Sequence, residues 1–349
     1  MVGDIHNTPV IATSLQCEGK SYFLSAVDAG TNKKTAAYCT SVAQEAISTA
    51  TEQYQCTVTG VVTDNEKKMV VMKQNLHDSN PELTVYGCSA HWLNLLGQDI
   101  TPAQVINQVV EINKYFRNHH IPGSLLSEIP DSVKPQLPAE TRWNSQLTCI
   151  DTYIRNRPYM PMIIAKNEEL IDPRICSIIH NVGLFNEVKH LQLQLQPVSN
   201  GLDRLQSDSS TIADACAAET WIDLLQNSGL QTYKDKVLHR FQQAMTPTHY
   251  LPNILHPQYR GKLLLPDQVS SAQDLLFQTT PDMLPDLLSF MSDSLEIPNT
   301  LLHASVIPQA TYVHDVSIFQ NIFLSVKNSL NKYSFISSVS FCLYYLHFD

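Results

Sequence analysis

The chain has 349 residues, 43% of them hydrophobic and 16% charged, with 11 glycines and 19 prolines. At about 150 residues per domain that length carries roughly two domains, and the composition excludes disorder, collagen-like repeats and low complexity as the main state. Lys and Arg number 23 against 33 Asp and Glu, a net charge of −10, which excludes a surface that is cationic throughout.

Two β-rich runs open the pattern, TPVIATSLQCE (8–18) and KSYFLSAVDAG (20–30), separated by Gly19, and their spacing predicts a hairpin. Cys39, Val42, Ala43, Ala46, Ile47 and Ala50 then recur at helical spacing. CTVTGVVTD (56–64) reads as a strand, residues 66–76 as a short helix and TVYGC (84–88) as a further strand. The order β, β, α, β, α, β predicts an α+β or mixed-sheet fold.

From about residue 90 the period becomes helical. Val105, Ile106, Val109, Ile112 and Phe116 form one stripe; Trp143, Leu147, Ile150 and Ile154 a second; Ile175, Ile178, Ile179, Val182 and Phe185 a third; and Val237, Leu238, Phe241 and Met245 a fourth. Prolines 122, 130, 135 and 138 mark a loop before the second stripe, and prolines 247, 252 and 257 mark another. VKHLQLQLQPV (188–198) is a Leu-rich candidate for an exposed protein-binding face. The expected layout is a sheet-bearing region over 1–100, a helical region over 101–265, a helical and loop extension over 266–319, and an apolar tail over 320–349 unrelated to the rest. In that tail Lys327, Lys332 and Asp349 are the only formal charges.

The eight cysteines (17, 39, 56, 88, 149, 176, 216 and 342) form no CxxC pair, and MVGDIHNTPV has no basic and apolar leader. Reduced thiols in an intracellular, non-secreted protein follow. The one membrane-like stretch, 333–348, falls short of the ~20 apolar residues that a spanning helix needs, so a membrane is not an expected partner. Basic residues number 14 against 15 acidic over 101–260, and a polyanion-facing surface is expected there.

Three segments could carry chemistry. GVVTDNEKKM (60–69) puts Asp64 and Asn65 just past the C-terminal end of a buried-looking strand, where open sheets place functional groups. A carboxylate there can hold a divalent metal, and Asp-Asn is equally a turn and helix-cap pair. In YGCSAHWLNLL (86–96), Cys88 and His91 stand at i and i+3 and share a helix side. Two ligands fall short of a structural zinc site, so a buried thiol and a hydrogen-bonded imidazole at a helix start is the simpler reading. AETRWNSQLTCIDTYIRNRP (139–158) combines Arg142, Trp143, Arg155 and Arg157: either a core tryptophan among surface arginines, or phosphate contacts beside a ring suited to base stacking.

Taken in order, VTDN, CSAHWLNLL, a proline-broken loop and TRWNS resemble the hAT superfamily of DNA transposases and the related domain-of-unknown-function 659 family of transposase-derived proteins. AETWIDLL (218–225) and HYLPNILHPQYRGKLL (249–264) also look like that family's helical region. The resemblance implies an RNase H-like core interrupted by a large helical insertion, with an Asp, Asp and Glu triad cutting DNA by a two-metal mechanism. By motif match Asp64 is the second triad member, Cys88 and His91 the CxxH motif, and Arg142 and Trp143 the RW motif that engages DNA near the cleavage site. The first strand and its Asp are not recognisable, Asp4 being a weak substitute, and neither is the triad's Glu; the chain reads as truncated at both ends.

A lone Asp holds Mg²⁺ weakly against its hydration shell. The expectation is therefore a transposon-derived, RNase H-like protein without catalytic activity, keeping DNA or protein contacts. No cofactor is expected; Mg²⁺ or Mn²⁺ would serve an active form, its missing carboxylates drawn from Asp4 and from Glu187 or Glu219. A helical protein-interaction scaffold is the third reading. DNA and proteins are the partner classes, with no small-molecule substrate evident, and nuclear localisation is what the resemblance implies. A sheet lacking its central first strand exposes two edges, which predicts a marginal, aggregation-prone fold unless another segment, such as the apolar tail, fills the gap.

Overall fold

The computed structural model describes residues 10–17, 20–30, 32, 34–139, 144–207, 210–216, 221–256, 259–292 and the strand 338–346. In chain order the strands are β1 (Val10–Cys17), β2 (Lys20–Asp28), β3 (Thr57–Thr63), β4 (Thr84–Gly87) and β5 (Ser338–Leu346). The helices are α1 (Ala36–Tyr54), α2 (Lys67–Ser79), α3 (Ser89–Ile100), α4 (Ala103–Asn118), α5 (His120–Ser127), α6 (Asn144–Asn156), α7 (Met160–Asn167), α8 (Pro173–His180), α9 (Val182–Leu205), α10 (Ile212–Ala215), α11 (Ile222–Gln226), α12 (Lys234–Ala244), α13 (Pro247–Leu255), α14 (Pro266–Thr279) and α15 (Leu284–Met291). The fold is α+β, and the opening order β, β, α, β, α, β matches the sequence expectation element by element. Among the described residues no helix is long and apolar enough to cross a membrane.

The chain divides into two units: 1–91 with 205–218 and 242–349, and 92–204 with 219–241. The sequence reading cut the chain into consecutive blocks at 100 and 265; instead the stretches 205–218 and 242–265 return to the sheet-bearing unit. Within it α13 packs on α10, α14 and α15. Asn253 of α13 donates to the Ala213 carbonyl at 3.0 Å, and the Tyr259 hydroxyl bonds to the Asp214 carboxylate. Arg260, left-handed at φ 52°, donates to the Phe290 carbonyl at 2.6 Å with its guanidinium over the Phe290 ring.

The sheet of this unit has the order β2-β1-β5-β3-β4. β1 and β2 form the expected hairpin, antiparallel from Val10 opposite Asp28 to Cys17 opposite Lys20. β3 and β4 run parallel, Gly60 opposite Thr84 to Thr63 opposite Gly87. β5 joins the two pairs. It is antiparallel to β1, with Val10 opposite Leu346 and Gln16 opposite Ser340, and parallel to β3, with Val62 opposite Cys342. The gap foreseen between two exposed edges is filled by a segment of the apolar tail, the candidate named for it: its β-branched and aromatic run, SVSFCLYYL, suits a strand paired on both sides.

α1 covers the sheet. The Thr35 hydroxyl caps its first turn, accepting from the Tyr38 N–H at 3.2 Å, and Gln55 ends it in a left-handed conformation at φ 53°. Its small buried residues, Cys39, Ala43, Ala46 and Ala50, interleave with Ile11, Leu15 and Val61 of the strands and with Met69, Met72 and Leu76 of α2 to make one core.

The second unit is helical and packs α4 against α5, α6 and α8. Val109, Ile112, Leu147, Ile150 and Ile179 are buried as their stripes predict. The third stripe is broken at Asn181, which separates α8 from α9. In α9, Val188, Leu191, Leu195 and Val198 are buried; the exposed leucine-rich face expected over 188–198 reduces to Leu193, because the other apolar residues repeat at core-facing spacing. Three prolines read as loop lie in helices. Pro122 sits in the first turn of α5, where a missing N–H costs no bond, and Pro247 opens α13, which also tolerates Pro252.

Residues 128–139 are held by two buried asparagines. Asn156 donates to the Val133 carbonyl at 2.8 Å and accepts from its N–H at 2.9 Å. Asn113 donates to the Gln136 and Cys149 carbonyls at 3.0 and 2.9 Å. Asn156→Leu strands both polar groups of Val133 in a half-buried setting and is expected to cost about 1–3 kcal/mol; chemical denaturation of the full chain measures it.

His256 stacks on Tyr259, and burial pushes its pKa below the ordinary 6.5 against an opposing pull from Asp214. The folded state therefore refuses a proton that the unfolded chain accepts near pH 6.5, so its share of stability is complete above that pH and is lost as pH falls below it, towards the lowered folded pKa. The acid-side slope of stability against pH is expected to flatten in His256→Phe, read as Tm between pH 7.5 and 5.

Candidate functional site

The C-terminal ends of the adjacent parallel strands β3 and β4 lie side by side and bring Thr63, Asp64 and Asn65 next to Gly87, Cys88 and Ser89. The Cys88 N–H continues the pairing, donating to the Thr63 carbonyl at 2.7 Å. Asn65 crosses between the strands: its Nδ2 donates to the Cys88 carbonyl at 3.0 Å and its Oδ1 accepts from Lys73 Nζ of α2 at 3.3 Å. Gly87 makes this approach possible, since a Cβ on it would stand 1.8 Å from Asn65 Oδ1 and 3.1 Å from Lys73 Nζ.

Asp64 sits in the turn between β3 and α2, with Oδ1 accepting from the Glu66 N–H at 3.1 Å. Two lysines, Lys73 and Lys34, feel its charge. Burial lowers the pKa of Lys73 while Asp64 opposes the shift. Lys34 is lowered by burial and then by Lys68, with Glu66 and Asp64 pulling the other way, and Lys68 pairs with Glu66 at 2.6 Å. Three ammonium groups against two carboxylates give this end of the sheet a local excess of positive charge. Among the described residues no three His, Cys, Asp or Glu side chains gather as metal ligands. The described residues around Asp64 therefore do not fit a two-metal centre, which needs carboxylates where lysines stand; a phosphate oxygen suits the local charge better.

Cys88 precedes α3, and its thiol receives the N–H groups of Ala90 and His91, which favour the thiolate. Burial outweighs them and pushes the thiol up, with Asp64 adding to the rise. The Cys88 thiol thus faces the open backbone N–H groups of the first turn of α3. His91 lies one turn into α3.

Ser89 meets a buried histidine that the sequence reading passed over. His249 Nε2 is 3.2 Å from Ser89 Oγ, its ring is edge-on to Tyr86, and its Nδ1 lies 3.3 Å from the Thr246 N–H and 2.9 Å from the Thr246 hydroxyl. A backbone N–H only donates, so Nδ1 accepts and Nε2 of the neutral ring carries the proton. That tautomer cannot receive the Ser89 proton, which removes the pair as a nucleophile and base. His249 instead closes a capping box at the start of α13.

Of the proposed DNA-contacting residues, Arg142 and Trp143 lie outside the described residues, as do Asp4 and Glu219. Arg155 is exposed in the last turn of α6. Arg157, one residue beyond α6, is committed internally: its Nη2 donates to the Ile179 carbonyl at the end of α8, and its guanidinium lies over the Phe185 ring. Glu187 is exposed on α9. The residues following the RW pair anchor α6: Asn144 donates to Asp203 at 2.6 Å and accepts from Ser199 at 3.2 Å, and Ser145 Oγ accepts from the Ala139 N–H at 2.7 Å. Asn113, Asn156 and His249 carried one sequence signal, a polar residue recurring within an apolar helical stripe.

Gly87→Ala is expected to evict the Asn65 amide from its two bonds and to cost about 1–3 kcal/mol. In an Asn65→Ala background the same substitution should cost much less, and the coupling from the four denaturation midpoints measures the contact.

A family model described as "Domain of unknown function (DUF659)" matches residues 3–115. That match takes in the hairpin, α1, β3, α2, β4, α3 and most of α4. No curated protein matches the chain.

Proposed function

We propose that the chain is a transposon-derived, RNase H-like protein of hAT type that does not cut DNA and that engages nucleic acid through its cationic positions, in the nucleus. The observation that carries this reading is the identity of the strand beside β3. The resemblance calls for an opening strand at the centre of the sheet, bearing a carboxylate that meets Asp64. β5 stands between β1 and β3, in register Val62 opposite Cys342. Its residues from there on, Leu343 to Leu346, include no Asp or Glu. The charge around Asp64 agrees, since Lys73 and Asn65 stand where a second cation ligand would be needed.

Contact with a phosphate backbone requires only positive charge and hydrogen-bond donors. Lys34, Lys68 and Lys73 supply that in one unit, and Arg155 in the other, with Arg142 and Trp143 added by motif. Arg157 is left out, since its guanidinium is committed to α8.

Supercoiled DNA incubated with the full chain and Mg²⁺ or Mn²⁺ is expected to remain uncut; nicking that vanishes in Asp64→Ala would overturn the silent reading. DNA binding should weaken steeply with salt, and Arg155→Ala should reduce the slope of log K against log salt by about one. Absence of binding at low salt would leave the interaction-scaffold reading standing.

A further inference from the structure

β5 differs from the other strands in how it is held. It pairs along β1 from Ser340 to Leu346 and along β3 from Ser338 to Cys342. Every other strand is joined to its sheet neighbour by a short hairpin or a helical crossover, whereas residues 293–337 separate β5 from α15 and its neighbours. Removing β5 would leave β2-β1 and β3-β4 as separate two-stranded pieces. The slot between them presents one antiparallel and one parallel edge, so backbone pairing fixes both the direction and the register of whatever enters.

Main-chain ladders do not distinguish which copy of a chain supplies the strand. We infer that the slot between β1 and β3 accepts residues 338–346 from a second copy of this chain, giving a strand-exchanged dimer whose sheet is identical to that of the monomer. The inserted segment, SVSFCLYYL, has no formal charge, so no like-charge repulsion opposes its entry into another copy. Filling a chain's own slot does not depend on protein concentration, whereas exchange requires two chains to meet, so folding at low concentration gives the self-filled form and exchange grows as concentration rises.

The register supplies a trap. Ser14 of β1 lies opposite Cys342, and directly opposed residues of an antiparallel pair fall within the span that a disulfide bridges. Full-length Ser14→Cys would be made in light and heavy isotope forms, co-refolded from denaturant over a range of concentrations, oxidised mildly and mapped by mass spectrometry. The expected result is a 14–342 disulfide within one chain at micromolar protein and a growing fraction of mixed light–heavy 14–342 disulfides, in dimers, as concentration rises. Separately folded samples mixed before oxidation should give no mixed product. Gln16→Cys, opposite Ser340, should not be trapped by Cys342. Should Ser14→Cys fail to fold, Val62→Cys on the other flank of Cys342 replaces it. A 14–342 disulfide that stays within one chain at every concentration would overturn exchange; absence of that disulfide and of 62–342 would overturn the slot assignment itself.

Discussion

The fold depends on one strand being paired on both sides. β2 and β1 make a hairpin and β3 and β4 a short parallel pair, and neither is more than a two-stranded ribbon, which is at best marginally stable in water. β5 converts them into a five-stranded sheet broad enough for α1 to cover, and the core of Ile11, Leu15 and Val61 with the small face of α1 requires β1 and β3 to be held at the spacing that one intervening strand imposes. The same strand decides what stands beside Asp64, because register in a parallel pair is fixed residue by residue. Architecture and chemistry are thus set by one pairing.

At the end of β3 a second constraint acts. Gly87 lets Asn65 and Lys73 approach the backbone more closely than any side chain at 87 would allow. Once the Asn65 amide is bonded to the Cys88 carbonyl and to Lys73, the space beside Asp64 is filled by a neutral dipole and a cation. A divalent ion brought there would meet the Lys73 ammonium at short range in a partly desolvated setting, where like-charge repulsion is far stronger than in water. A phosphate would meet the opposite balance.

Local periodicity made much of this legible in sequence. The hairpin, α1, β3, α2 and β4 each show their period within a dozen residues, and the stripes through Val109, Ile150 and Ile179 marked the helical core. The apolar tail could be named as a candidate for the gap, but the bounds of β5 and its register against β1 and β3 were not legible, because strand pairing across more than 250 residues leaves no local trace. Pro122 and Pro247 misled because proline within the first helical turn costs no bond, and Pro252 because a helix that is buried along most of its length tolerates one lost bond. Asn113 was visible in principle, lying four residues after Val109 and three before Phe116 on a buried stripe, where a polar side chain needs a partner. Which partner it finds, the carbonyls of Gln136 and Cys149, is a tertiary fact.

The segments that carry the family resemblance turn out to do structural work. The Cys88 N–H extends the β3 pairing, Asn144 and Ser145 anchor the start of α6, His249 caps α13, and Tyr259 and Arg260 tie α13 to α10 and α15. Each of these contacts is a demand of helix ends or buried polar groups, met by the protein's own backbone and side chains. A chain needs them to hold this architecture whether or not it cuts anything. Likeness in those segments therefore speaks for the scaffold, while the case for cleavage would have to come from carboxylates meeting at the end of β3, where a lysine, an asparagine amide and an acid-free strand now stand.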